Sequence, residues 1–180
     1  MSVTTLPQTG TWNIDPTHTV IGFMAKHLMV TKVRGSFKAF SGTIEIGESP
    51  ENSSVQVSID AASIDTGPVD RDNHLRSGDF LDVENHPTIT FTSTAVRQVG
   101  SEYQVEGNLT IRGVSKPVTL DMTFDGLATD PWGNAKAAFS ASTTINREDW
   151  GLTWNAQLET GGVLVSKEIK IEIEAQVAKA

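Results

Sequence analysis

For most of its length this chain alternates apolar and polar residues one by one. Val118, Leu120, Met122 and Phe124 share one side of a segment, as do Tyr103, Val105, Gly107, Leu109 and Ile111 of the segment before. Ala137, Phe139, Ala141, Thr143 and Ile145 repeat the pattern, and Ile169, Ile171 and Ile173 alternate with Glu168, Lys170, Glu172 and Glu174. A period of two is the signature of a strand with one dry and one wet face. Earlier runs (Ile21 and Phe23; Phe40, Ile44 and Ile46; Val55, Val57 and Ile59) bring the count to about eight strands, joined by Gly, Asn, Asp and Pro turns. No long helical pattern is available to cover the dry faces, so the sheet must bury them against itself. The expected fold is all-β, a closed antiparallel barrel, with a two-sheet sandwich as the competitor. At 180 residues the chain suits one domain, read as a tail over 1–10 and a barrel over 11–180.

The inner faces mix large rings (Phe23, Phe37, Phe40, Phe91, Phe124, Phe139) with Gly22, Ala39, Gly107 and Ala141. A barrel of about eight strands is filled by side chains or holds one slender ligand. Small inner residues either leave that room or merely fit the taper and the bends. Gly42, on an apolar face, marks a bend or a close approach.

One stretch breaks the alternation: DRDNHLRSGDFLDVENHPTITFTS, Asp70 to Ser93. Asp70 or Asp72 can cap a helix and Gly78 can end it, so a short helix is expected near 71–78. Leu75, Phe80 and Leu81 give it an apolar patch, which reads as a lid at one barrel end or as a crossover that only closes the core. Its His74, Arg71 and Arg76 could meet a phosphate or carbonyl head group, or pair with the neighbouring aspartates. A second unusual patch runs from Asn146 to Trp154. Arg147 reads there as a loop anchor or a head-group contact. Trp150 and Trp154 line a pocket mouth or staple the loop.

Several function classes are disfavoured. A formal net charge of -8 opposes binding to phosphate backbones and anionic lipid surfaces. No cysteine is present, and no GxSxG, HExxH, P-loop or GxGxxG motif occurs. His18, His27, His74 and His86 have no metal-ligand spacing, and no carboxylate pair is fixed for acid–base work. No cofactor and no metal is therefore expected. MSVTTLPQTGTW lacks a basic head and an apolar run, so no signal peptide is expected and the cytoplasm is favoured over the periplasm or secretion. No apolar run is long enough for a membrane-spanning helix, so stable membrane insertion is not expected.

Five blocks then carry a resemblance: WNIDPTHTVIGFMAKHLMVTKVRGSFKAFSG, DRDNHLRSGDFLDVENHPTITF, GNLTIRGVSKPVTL, INREDWGLTWN and GGVLVSKEIKIEIE. In that order and spacing the chain resembles the YceI-like family of polyisoprenoid-binding proteins, from Trp12 to Val177. The resemblance implies a lipocalin-like barrel, often dimeric, whose long cavity takes an isoprenoid or similar amphiphile such as an isoprenoid quinone. It also implies that the DRDNHLRS segment is the short helix. It supplies no catalytic residue. The expectation is a non-enzymatic lipid carrier or store. The wall residues read from the alternation are Phe23, Phe37, Phe40, Val57, Ile59, Leu75, Phe80, Phe91, Leu109, Ile111, Phe124, Phe139 and Trp150, with His74, Arg76 and Arg147 toward the head group. The alternatives are a structural or stress-response interaction module with a filled barrel, and an enzyme for a hydrophobic substrate built on His74 beside Asp72 and Asp79.

Overall fold

A computed structural model describes residues 6–159 and 161–180. In chain order its strands are β1 (Gly10–Ile14), β2 (Val20–His27), β3 (Thr31–Phe37), β4 (Phe40–Ile46), β5 (Ser54–Asp60) and β6 (Ile64–Asp65). After the helix α1 (Val69–Arg76) come β7 (Thr88–Val99), β8 (Glu102–Ile111), β9 (Val114–Thr129), β10 (Ala135–Asn146) and β11 (Glu168–Lys179). The ring runs β1–β4–β5–β7–β8–β9–β10–β11, and β11 returns to β1. Every pairing around it is antiparallel. The eight-stranded closed barrel expected from the alternation is therefore present, with one helix.

Three wall strands are broken, and the breaks have local causes. The Asp15 carboxylate accepts from Thr17 N (3.0 Å) and Thr17 Oγ1 (2.7 Å) and meets His18 Nδ1 at 2.9 Å. This folds Pro16–His18 into one 3-10 turn. The strand expected from His18 accordingly starts at Val20. β2 then takes over from β1 beside β11: Ile14 faces Val177, and Ile21 faces Ile173. Lys38 and Ala39 separate β3 from β4 in the same way, and Ala61–Ser63 separates β5 from β6.

The helix lies where expected, but its ends differ. Its N-cap is Pro68, and it stops at Arg76. Asp72 does not cap it. Its carboxylate reaches back to Thr66 N (2.8 Å) and Thr66 Oγ1 (2.6 Å), tying the helix to the end of β6. Burial pushes the Asp72 carboxyl up, but these two bonds and the nearby Arg76 and Arg71 prevail and hold it below the ordinary carboxylate range.

The inward faces interdigitate by size. Along β10 and β11, Phe139 faces Ala175, Ala141 faces Ile173 and Thr143 faces Ile171. Small residues also admit large ones at several glycines, Gly35 against Phe23 among them. A Cβ on Gly107 would lie 2.5 Å from Phe91 Cζ and 2.6 Å from the Thr92 carbonyl. A Cβ on Gly42 would lie 2.6 Å from Ile14 Cδ1, so this glycine is a close approach. The barrel end holding the β7–β8 and β9–β10 turns is plugged by Trp12, Ile44, Ala137, Phe139 and Val177. The opposite end receives α1, Phe80 and Leu81, the Arg147–Trp150 turn, and the segment leading from it to β11.

Candidate functional site

Between the plug and the lid lies a cavity of about 260 Å³. That is many times the roughly 10–15 Å³ that admits one water. Its wall is built from the inward rows of the strands. Phe23 and Phe37 come from the β2–β3 hairpin, with rings 5.7 Å apart. Val57 and Ile59 of β5, Phe91 of β7, Leu109 and Ile111 of β8, and Phe139 of β10 also line it. The lid contributes Leu75 from α1 and Phe80 after it, and the far turn contributes Trp150. Trp150 is 2% exposed, and its indole N–H donates to the Leu109 carbonyl at 2.8 Å. That bond satisfies the polar end of the ring and leaves its apolar body to the cavity.

Four expected contacts stand elsewhere. Phe40 packs against the core at the start of β4 but does not reach the cavity. Phe124 stacks on Phe139 with ring centroids 5.4 Å apart and belongs to the plug. Alternation assigns a side chain to a face but not to a height along the barrel, and a register shift between Ala138 and Phe139 further displaces this pair. Arg76 is engaged by the backbone: Nε donates to the Ala62 carbonyl (2.8 Å) and Nη2 to the Ile64 carbonyl (3.0 Å). It fastens α1 to β6. His74 is also outside the cavity. Its Nε2 meets Asp79 Oδ2 at 2.9 Å, and its ring stands edge-on to Trp154 (4.6 Å) and Phe80 (5.1 Å). Trp154 thus clasps the lid from outside the cavity.

Arg147 lines the cavity only with its stem. Arg147 is 4% exposed, and its guanidinium is bonded to main-chain carbonyls: Leu152 at 2.7 Å, Trp154 and Ser166 at 2.9 Å, and Val165 at 3.4 Å. It also sits 5.7 Å above the Phe80 ring. Burial holds its pKa below the usual arginine range, with Glu148 opposing weakly. Its guanidinium is thus engaged by main-chain carbonyls and ties the loop together. Its partners are backbone oxygens, which leave no mark in a sequence.

The sequence reading favoured aromatic rings and passed over much of the aliphatic wall. Ile21, Ile89, Val105, Leu120, Met122 and Ile171 also line the cavity. The same alternation already placed several of these on the dry faces, so the signal was present and only the choice among residues was too narrow. Among the described residues, the lining contains no carboxylate and no imidazole. Among the described residues, no group of three or more His, Cys, Asp or Glu could hold a metal ion. The chemistry on offer is therefore apolar contact.

Comparison with known proteins agrees with this geometry. The family described as the YceI-like domain matches residues 12–177. A UPF0312 protein of Staphylococcus epidermidis is 40% identical over 168 residues, covering 92% of this chain and 95% of the relative. A protein of Salmonella newport named YceI is 42% identical over 137 residues, covering 76% and 72%. Among solved structures, Burkholderia cenocepacia BcnA superposes with a TM-score of 0.77 at 26% identity, covering 91% of this chain and 98% of that one. A Campylobacter jejuni YceI protein gives 0.74 at 32% identity, covering 86% and 90%. A Saccharophagus degradans domain described as polyisoprenoid-binding gives 0.72 at 15% identity, covering 96% and 100%, a likeness of fold.

Proposed function

This chain belongs to the YceI-like family, and on that premise we propose that its barrel binds one long, slender, apolar amphiphile of the isoprenoid class and carries or stores it without chemical change. The observation that carries this reading is the cavity itself. About 260 Å³ is walled mostly by aliphatic and aromatic side chains, while the buried Arg147 at its edge is engaged by backbone carbonyls. Burying an isoprenoid tail there is favourable by roughly 25 cal/mol per Å² of apolar area removed from water. Shape-matched walls then suffice for affinity without a fixed polar partner. The S. degradans domain of the same fold, described as polyisoprenoid-binding, is consistent with this reading. An enzyme built on His74 finds no support, because neither His74 nor Asp79 lines the cavity and Asp72 is bonded to Thr66. A filled barrel finds none either, because the wall leaves this volume open.

Native mass spectrometry of freshly purified protein, followed by organic extraction, tests the proposal. We expect a stoichiometric lipid mass, or uptake of one isoprenoid quinone or polyprenyl phosphate on incubation. Ala141→Phe, which grows a lining residue into the cavity, should abolish uptake while the protein stays folded. A clean ligand-free mass with no uptake of either class would overturn the proposal.

A further inference from the structure

We propose that the tip of the β2–β3 hairpin is a membrane-docking element, which seats the lid end of the barrel on an anionic lipid surface. The tip is His27-Leu28-Met29-Val30, closed by Val30 N donating to the His27 carbonyl at 3.2 Å. Leu28 and Met29 both hold positive φ, 54° and 69°. Two successive left-handed residues are a turn backbone that favours Asn-Gly and penalises branched or bulky residues, and the pairing of His27 with Thr31 leaves Val30 as an extra residue of the loop. Among the described residues, the other non-glycine positions with positive φ are Asp82 and Arg112. Both have polar side chains that make hydrogen bonds, to Asn85 and to the Phe80 carbonyl. Leu28 and Met29 have no such compensation.

The strained turn also exposes what it carries. Leu28, Met29 and Val30 are 44%, 54% and 76% exposed. Three consecutive large apolar side chains at a hairpin tip contribute nothing to the core and lower solubility. A local rule broken in both backbone and burial is what a working surface looks like.

The charge around the tip selects the occupant. Lys26 and Lys32 lie directly opposite each other across the two strands on the outward face. Among the described residues, neither is within 4.0 Å of a carboxylate. A like-charge pair side by side is unfavourable, and Glu172 on the neighbouring β11 relieves it only at longer range, through Lys32. An apolar tip with lysine shoulders matches the boundary between acyl chains and anionic head groups. The net charge of -8 acts over the whole chain, whereas within a Debye length of the surface the local pair decides. Glu159, in the segment beside the hairpin, opposes this, so binding should be moderate and salt-sensitive.

The site is well placed for the proposed function, and on this point the inference rests on it. On β2 the inward row Ile21, Phe23 and Ala25 lines the cavity and leads directly to His27 at the tip. His27 is bridged to Val165, another cavity residue, and Leu28 N donates to the Leu164 carbonyl at 2.9 Å. A bilayer in contact with the tip would face the lid end.

The test is sedimentation with unilamellar vesicles of phosphatidylcholine, alone or mixed with phosphatidylglycerol. The wild-type protein should pellet with the mixed vesicles at low salt and much less with phosphatidylcholine alone or at high salt. Leu28→Asn combined with Met29→Gly installs the favoured turn, so this variant should melt no lower than wild type while losing about tenfold or more of its vesicle partitioning. Lys26→Glu with Lys32→Glu should lose the dependence on phosphatidylglycerol. Absence of wild-type pelleting with either vesicle would overturn the proposal. So would unchanged pelleting of the Asn-Gly variant. A concentration-dependent dimer that the Asn-Gly turn dissolves, without vesicle binding, would assign the tip to a second copy of this chain instead. Ala141→Phe should still pellet with vesicles, so failure of docking and failure of cavity binding are read separately.

Discussion

Replacing Arg147 by methionine should loosen the lid before anything else in the molecule. The side chain keeps its length and apolar stem but loses every donor. Three carbonyls within 3.0 Å (Leu152, Trp154 and Ser166) lose their partner, and Val165 loses a weaker one at 3.4 Å. Each orphaned acceptor costs about 1–2 kcal/mol, so the three together cost about 3–6 kcal/mol. Relief of the buried guanidinium's desolvation returns part of this, leaving a net loss of about 3 kcal/mol. For a domain of this size each kcal/mol moves Tm by roughly 2–4 °C, so calorimetry should show a drop of about 6–12 °C. Lysine at 147 should fall between the two, because a compact ammonium cannot span carbonyls that the planar fork reaches together. Hydrogen exchange should quicken first in the segment between Leu152 and Lys167, since that is what the guanidinium holds. A Tm change under about 2 °C, or exchange that quickens evenly across β7–β11, would refute the argument that the Leu152, Trp154 and Ser166 carbonyls depend on one side chain; the Val165 carbonyl keeps its bond from Asn155 Nδ2 at 2.7 Å.

Other perturbations follow from the same geometry. Gly107→Ala should cost about 1–3 kcal/mol in urea unfolding, because its Cβ would overlap the Phe91 ring, and Phe91→Leu in the same chain should recover part of the loss. Asp15 is held down to about 2, from an ordinary 3.8, mainly by the Thr17 hydroxyl and then by His18, against a small opposing effect of burial. A depressed carboxyl stabilises the fold above its unfolded value and loses that contribution as pH falls, so the unfolding free energy from urea titration should fall between about pH 4 and 2, by no more than about 1 kcal/mol because the His18 partner is exposed. Asp15→Asn should remove this part of the pH dependence, and parallel curves for the two proteins would contradict it. Trp132 is 83% exposed while Trp150 lines the cavity, so Trp132→Phe should shift tryptophan emission to the blue, and the remaining emission should change when lipid enters.

Much of this architecture was legible because alternation reports a face. The dry rows of β8, β9 and β11 read directly as Val105 and Leu109, Leu120 and Met122, and Ile169, Ile171 and Ile173. Closure followed because a one-faced sheet with no covering helix has nothing else to bury against. Height along the barrel did not read, which is why Phe124 was placed with the wall although it belongs to the plug. Nor did side-chain-to-backbone bonds: Arg76 and Arg147 looked available because their partners are carbonyls, which every residue type supplies. Asp70 and Asp72 both look like helix caps, and nothing local shows that Asp72 instead holds Thr66, which lies outside the helix on its N-terminal side. The positive φ of Leu28 and Met29 is contrary to the propensity of both residues, and no composition rule would have predicted it.

The role of β11 sets a time order for folding. It bonds β10 along one side, and on the other it bonds β2 and then β1, so Trp12 closes the wall only by meeting Lys179. A nascent chain that has emerged through β10 already contains the first ten strands, yet β1 and β10 each present a bare edge. Contacts this distant in sequence form slowly, and edges left open in the interval invite pairing with other chains. Val177, with none of its surface exposed in the finished barrel, is part of the contact that ends this interval. Synthesis of β11 therefore sets the length of the aggregation-prone period, however quickly the earlier hairpins assemble.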